Sequence, residues 1–271
     1  MKPALHWAAL ALAALVPLSA SAHKTFILPS ATVLSDADEA WVTFDAAVTN
    51  DLFYFNHRPL SVANLVVATP DGRALTPQNA HEGKWRSTFD LQLPAPGTYR
   101  IAIPTDGLLA SYEDAKGEKK RARGTADSLA KQIPPGAKNI EIVQAQNRVE
   151  TFVTLGKPDQ VALEPSGRGL ELVPVTHPND LFAGEAATFR FVLDGQPAKG
   201  LQVEVVPGGT RYRNAQEQID LVTDADGEFS VTWPTAGMYW LHASIEGVRP
   251  SEPKAKSRRA GYTATLEVLP Q

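Results

Sequence analysis

Apolar and polar residues alternate with a period of two in short runs along most of the chain. That is the pattern of strands that bury one face of an antiparallel sheet and solvate the other. The clearest runs are residues 40–48, 149–155, 187–193, 201–206 and 262–269, with a short apolar run at 64–68. Residues 89–101 align with residues 229–241 at a constant offset of 140. Phe89, Pro94, Gly97 and Tyr99 meet Phe229, Pro234, Gly237 and Tyr239, and the apolar positions between them match. Each copy reads as a strand, a Pro/Gly turn and a second strand. A tyrosine two residues past the turn glycine matches the tyrosine corner of immunoglobulin-like sandwiches. A repeat of this period is domain-sized rather than solenoid-sized. The prediction is an all-β chain of two immunoglobulin-like antiparallel β-sandwich domains in tandem, at residues 23–158 and 166–271, joined by a linker within 156–169. Residues 105–146 break the alternation. They carry Lys116, Lys119, Lys120, Arg121 and Arg123 and then Pro134-Pro135-Gly136, and are expected to be a long basic loop with a solvated face. The basic run from Arg249 to Arg259 is expected to lie in another loop.

The first 22 residues differ from the rest. Lys2, the apolar run 4–18 and Ala20-Ser21-Ala22 have the order of a secretory signal with its cleavage site. Among 271 residues there is no cysteine, which excludes a disulfide scaffold, a thiolate metal site and a cysteine nucleophile. Removing the signal leaves 25 basic against 30 acidic side chains, so nucleic acid is not an expected partner. No other segment is long and apolar enough to span a bilayer. The mature protein is expected to be soluble and periplasmic.

Ala22-His23 followed by Phe26 and Leu28-Pro29 resembles the start of the DUF4198 family. Residues 151–156, 169–174, 181–184, 194–197 and 223–229 are similar to its later segments, so the resemblance covers nearly all of the mature chain. It implies an exported protein akin to those described as periplasmic components of nickel or cobalt uptake systems. The nickel-associated branch carries a His-Pro pair after the first long strand; here Arg58 stands between His57 and Pro59.

Cleavage after Ala22 makes His23 the first residue of the mature chain. Its α-amino group, which loses its proton near neutral pH, and its ring Nδ1 can then chelate one metal ion. Nitrogen sets of this kind suit copper(II), nickel(II) or zinc(II). His57, at the end of an aromatic segment, and His81, beside Glu82, are the candidate partners, which makes His23, His57 and His81 the expected metal ligands. His177 reads as a strand-end residue. His242, out of phase with inward-pointing Tyr239 and Leu241, is expected to face solvent. Asp36, Asp38 and Glu39 read as an ordinary polar turn, and Asp224 and Asp226 as a hairpin turn rather than a calcium loop. Trp41, Phe53, Tyr54, Phe55 and Trp85 read mainly as sandwich core, with a sugar-stacking surface as the alternative. There is no nucleophile elbow, P-loop, zinc-protease helix or dinucleotide fingerprint, so no catalytic role is expected.

These features point to a periplasmic metal-binding accessory protein that passes nickel, cobalt or copper to a membrane transporter. The alternatives are a non-catalytic envelope interaction module, with an outer-membrane receptor as partner, and a copper-dependent polysaccharide monooxygenase.

Overall fold

The computed structural model describes residues 23–35 and 40–271. The expected signal segment 1–22 and the expected polar turn at Asp36, Asp38 and Glu39 lie outside the described residues. From the N-terminal side come β1 (Lys24–Pro29), β2 (Val33–Leu34), β3 (Trp41–Thr49), β4 (Arg58–Pro59) and β5 (Val66–Ala68). Then follow β6 (Gln78–Glu82), β7 (Ser87–Gln92), β8 (Gly97–Glu113), β9 (Lys119–Gly124), α1 (Ala126–Gln132) and β10 (Lys138–Leu155). The second half contains β11 (Leu170–Pro174), β12 (Ala186–Leu193), β13 (Gln196–Pro197) and β14 (Gln202–Pro207). It ends with β15 (Ile219–Val222), β16 (Glu228–Thr232), β17 (Gly237–Val248) and β18 (Ser257–Val268).

These strands form three sheets. The first has the order β1-β3-β7-β6, with β4 also paired to β3. The third is built from β11, β12, β13 and β16. Between them lies a nine-stranded sheet ordered β15-β14-β17-β18-β10-β8-β5, with β2 also paired to β10 and β9 to β8. Its two halves meet where β10 pairs with β18 in parallel, from Val143–Ser257 to Thr151–Thr265. Side-chain parity then assigns its two faces. Ile103, Val149 and Val153 enter the first core with Ile27, Phe44 and Phe89. Phe152, Leu241 and Tyr262 point the other way, into a second core with Phe189, Phe191 and Trp233. There are two immunoglobulin-like sandwich cores, and one sheet serves both.

The repeat has the same geometry in both copies. The Tyr99 hydroxyl donates to the Ala95 carbonyl at 2.6 Å, and that of Tyr239 donates to Thr235 at 2.8 Å. Both rings are fully buried, and the preceding Gly97 and Gly237 have φ of 131° and 140°, which a side chain rarely adopts.

The expected long loop at 105–146 is instead folded. β8 and β10 run on past the first core as a long antiparallel pair, and β9 adds to β8 through residues 108–113. Leu108, Ala110, Ala122 and Leu129 close a small core of their own. The Lys/Arg residues of β9 are on an outer strand, where charge discourages further strand addition but hides the alternation that reveals a strand. The run from Arg249 also enters regular structure: Arg258, on β18, is buried and paired with Asp194. The linker is pinned as well. Leu163 lies in the second core, and the Thr98 amide donates to Asp159 at 3.1 Å. Asp224 closes the predicted hairpin turn by accepting from the amides of Asp226 and Glu228, both at 2.9 Å.

Candidate functional site

β3 ends at Thr49, and the chain returns through residues 50–57 to β4. β1 pairs with one side of β3, Lys24 opposite Thr49, and β4 with the other, Arg58 opposite Val48. His23 and His57 therefore flank the end of the same strand from its two sides. Their rings meet there, with centroids 3.9 Å apart and planes inclined by 24°. His23 is exposed and His57 partly so. Desolvation, then the neighbouring His23 and Arg58, hold the His57 imidazole below its ordinary pKa. A neutral ring keeps a lone pair available at neutral pH.

The loop before His57 is tied down from several directions. The buried Thr49 hydroxyl lies 2.6 Å from the Asp51 carbonyl and 2.9 Å from Asn56 Oδ1. Asn56 in turn accepts from the Asn50 amide at 2.9 Å and donates to Asp51 at 2.8 Å. The second half of the chain supplies further anchors. The Leu52 amide donates to Thr210 Oγ1 at 3.1 Å, and the Arg211 guanidinium lies 3.9 Å from the Tyr54 ring centre. Phe53 has φ of 59° and packs edge-on to Phe26 at 5.2 Å. It also presses on Gly208, where an added Cβ would come within 2.9 Å of the Phe53 ring. A side chain at position 208 would have to displace that ring or the Met238 carbonyl, also 2.9 Å away.

β1 is fixed in the same way. The Trp240 indole N–H donates to the Thr25 carbonyl at 2.9 Å, and the Lys24 ammonium sits 4.3 Å from that ring's centre. Phe26, Ala47 and Leu52 form a third buried cluster with Val206 and Trp240. The candidate site thus stands on both halves of the chain.

The other histidines are elsewhere. His81 is exposed on β6, at the edge of the first sheet opposite β1, and does not join the pair. His177 is a structural peg: its Nε2 lies 3.0 Å from Thr98 Oγ1, and its Nδ1 accepts from the Asn179 amide at 3.2 Å. His242 departs from the sequence expectation. Its parity is as read, but the face it shares with Trp240 is covered by β1 rather than by water. It is partly buried, stacked on Trp240 at 5.0 Å, and held by burial at a pKa of about 4. Trp41, Tyr54 and Trp85 are 41%, 40% and 46% exposed, so they are not core as expected. Lys84 and Arg211 cover faces of Trp85 and Tyr54. Among the described residues, no group of three or more His, Asp or Glu side chains is placed to hold a metal ion. Two imidazoles are brought together. The residues that hold them there, Thr49, Asn56, Thr210 and Trp240, carry no motif that would single them out in the sequence.

The family model for DUF4198, a domain of unknown function, matches residues 20–247. No curated protein matches the chain. Among solved structures, the D0-D1 domain of Intimin aligns over 91% of this chain and 100% of its own length, at 11% identity and a TM-score of 0.23. The D00-D0 domain of Intimin aligns over the same shares at 8% identity and a TM-score of 0.20.

Proposed function

The chain belongs to the DUF4198 family, and we propose that it is a periplasmic metal-binding accessory protein passing nickel, cobalt or copper to a membrane transporter. The observation that carries this reading is the contact between His23 and His57, rings 3.9 Å apart at an exposed strand end. A metal held about 2.0–2.1 Å from one nitrogen on each ring needs those nitrogens no more than about 4 Å apart. Ligation turns the rings from face-to-face towards edge-on, a rotation about side-chain torsions that leaves the strands in place. The third donor is the α-amino group of His23 in the processed chain. An open site of this kind exchanges its ion, as delivery requires, whereas a closed four-ligand cage retains it.

The His57→Ala variant tests the reading by titration with nickel(II) and copper(II) of protein that begins at His23. Affinity is expected to fall about tenfold or more, while the metal-free melting temperature stays within about 2 °C, since a partly exposed ring outside the buried clusters contributes little packing. Metal should also raise that temperature in the native protein, through preferential binding to the folded state, and by less in the variant. Equal affinity in both proteins removes His57 from the site. Oxygen-dependent release of oxidised oligosaccharides from chitin or cellulose by the copper-loaded protein would move the reading to a monooxygenase.

A further inference from the structure

On the face of the shared sheet that bears the second core, the cover stops short of β8 and β5. Phe152 belongs to the core, but its neighbours on that face, Glu150 and Arg148 on β10 with Arg100, Ala102 and Pro104 on β8, do not. A cavity of about 770 Å³ opens there. Its walls include the segment 63–68 at one side and Ser166, Arg168, Gly169 and Leu170 at the other. The volume lies within the range of small-molecule sites.

The polar part of the wall is built around one buried carboxylate. Glu150 is 1% exposed and accepts from the Tyr262 hydroxyl at 2.6 Å and from Arg148 Nε. Burial, with Glu150 alongside, pushes the Tyr262 pKa well above its ordinary value, so the phenol remains a donor. Arg100 is 8% exposed, and its Nη2 donates to the Glu164 carbonyl at 2.9 Å. Its Nε, 3.9 Å from Glu150, is buried without a hydrogen-bond partner. A buried guanidinium N–H left unpaired is costly. Arg168 on the covering loop is exposed and lines the same cavity. Arg100, Arg148 and Arg168 line the cavity against one lining carboxylate, Asp106, while the buried carboxylates of Glu150 and Glu171 stand behind Arg148 and the amides of 166–168. Val66 and Ala68 on β5, in register with Ala102 and Arg100, join Ala102 in an apolar wall beside the arginines.

We propose that this cavity is a binding site for a small organic monoanion, an apolar body ending in a carboxylate that Arg100, Arg148 and Arg168 receive. Guanidinium groups bind carboxylates through paired N–H donors, and the apolar wall beside them takes the body of the ligand. Pro104, on the outer stretch of β8 between its pairings with β5 and β9, has no N–H to offer, which opposes strand addition there and leaves the space to a small molecule. The site shares no residue with the histidine pair and does not depend on metal binding.

Hexanoate is the probe, with hexanamide as its uncharged analogue, titrated into the mature protein by calorimetry. Saturable binding of hexanoate and none of hexanamide is expected at about 10 mM ligand. Arg148→Gln and Arg168→Gln should each weaken hexanoate about tenfold or more. Arg168 is exposed, so Arg168→Gln remains folded even if Arg148→Gln, which also disturbs buried Glu150, does not. Failure of hexanoate to bind, equal binding of the amide, or full hexanoate affinity in folded Arg168→Gln overturns the proposal.

Discussion

His242 lies against Trp240 on one side and is 3.2 Å from Thr263 Oγ1, with Lys24 as the nearest cation. Burial, then Lys24, lowers its pKa from 6.5 to about 4, so the folded protein binds fewer protons than the unfolded chain between those values. Stability from this group is fully present above pH 6.5 and is lost as the pH falls towards 4. The shift is equivalent to about 3 kcal/mol. Burial lowers the pKa of His177 too, and it acts in the same sense. Urea midpoints measured from pH 7 to pH 4.5 should therefore drop with acid more steeply in the native protein than in His242→Gln. Identical slopes would show that His242 is hydrated. His57 shows the same principle at the surface, where a lowered pKa favours a free lone pair rather than a packed neutral ring.

Elements that alternate cleanly are legible in the sequence, and those that do not are hidden for physical reasons. β3, β12, β14 and β18 fall where one-faced alternation predicts them, and both tyrosine corners follow from the repeat. The pairing of His23 with His57 follows from two strand ends beside β3. β9 is not legible, because Lys119, Lys120, Arg121 and Arg123 leave only Ala122 facing a core. Alternation also reports which face is apolar without reporting what covers the other, which is why His242 reads as exposed. The loop 50–57 is a further case, since its shape depends on a glycine far along the chain. Gly208→Ala should push Phe53 off its seat and with it the loop that carries His57. Its nickel(II) affinity is expected to fall several-fold, although residue 208 touches neither histidine; unchanged affinity would show that the loop holds itself.

At the scale of the molecule, the two sandwiches are not beads on a linker. The β10–β18 ladder runs from Val143–Ser257 to Thr151–Thr265 in the shared sheet, and Trp240 joins β1 to β17. Long-range parallel pairing of this kind leaves no local mark in sequence, so the two tandem sandwiches are legible there and the sheet they share is not. The structure predicts one cooperative thermal transition, with calorimetric and van't Hoff enthalpies in agreement. Two separated transitions would mean that the halves unfold independently. The same coupling places His23 at the strand end beside His57, because Lys24 is held over Trp240 at 4.3 Å. The proposed function rests on that placement and on a free amine at His23. The most direct test compares nickel(II) and copper(II) titrations of protein beginning at His23 with protein carrying one added alanine before it. The account predicts a tight site in the first that is lost in the second, with the fold and the melting temperature without metal unchanged. Equal affinity in both would contradict it.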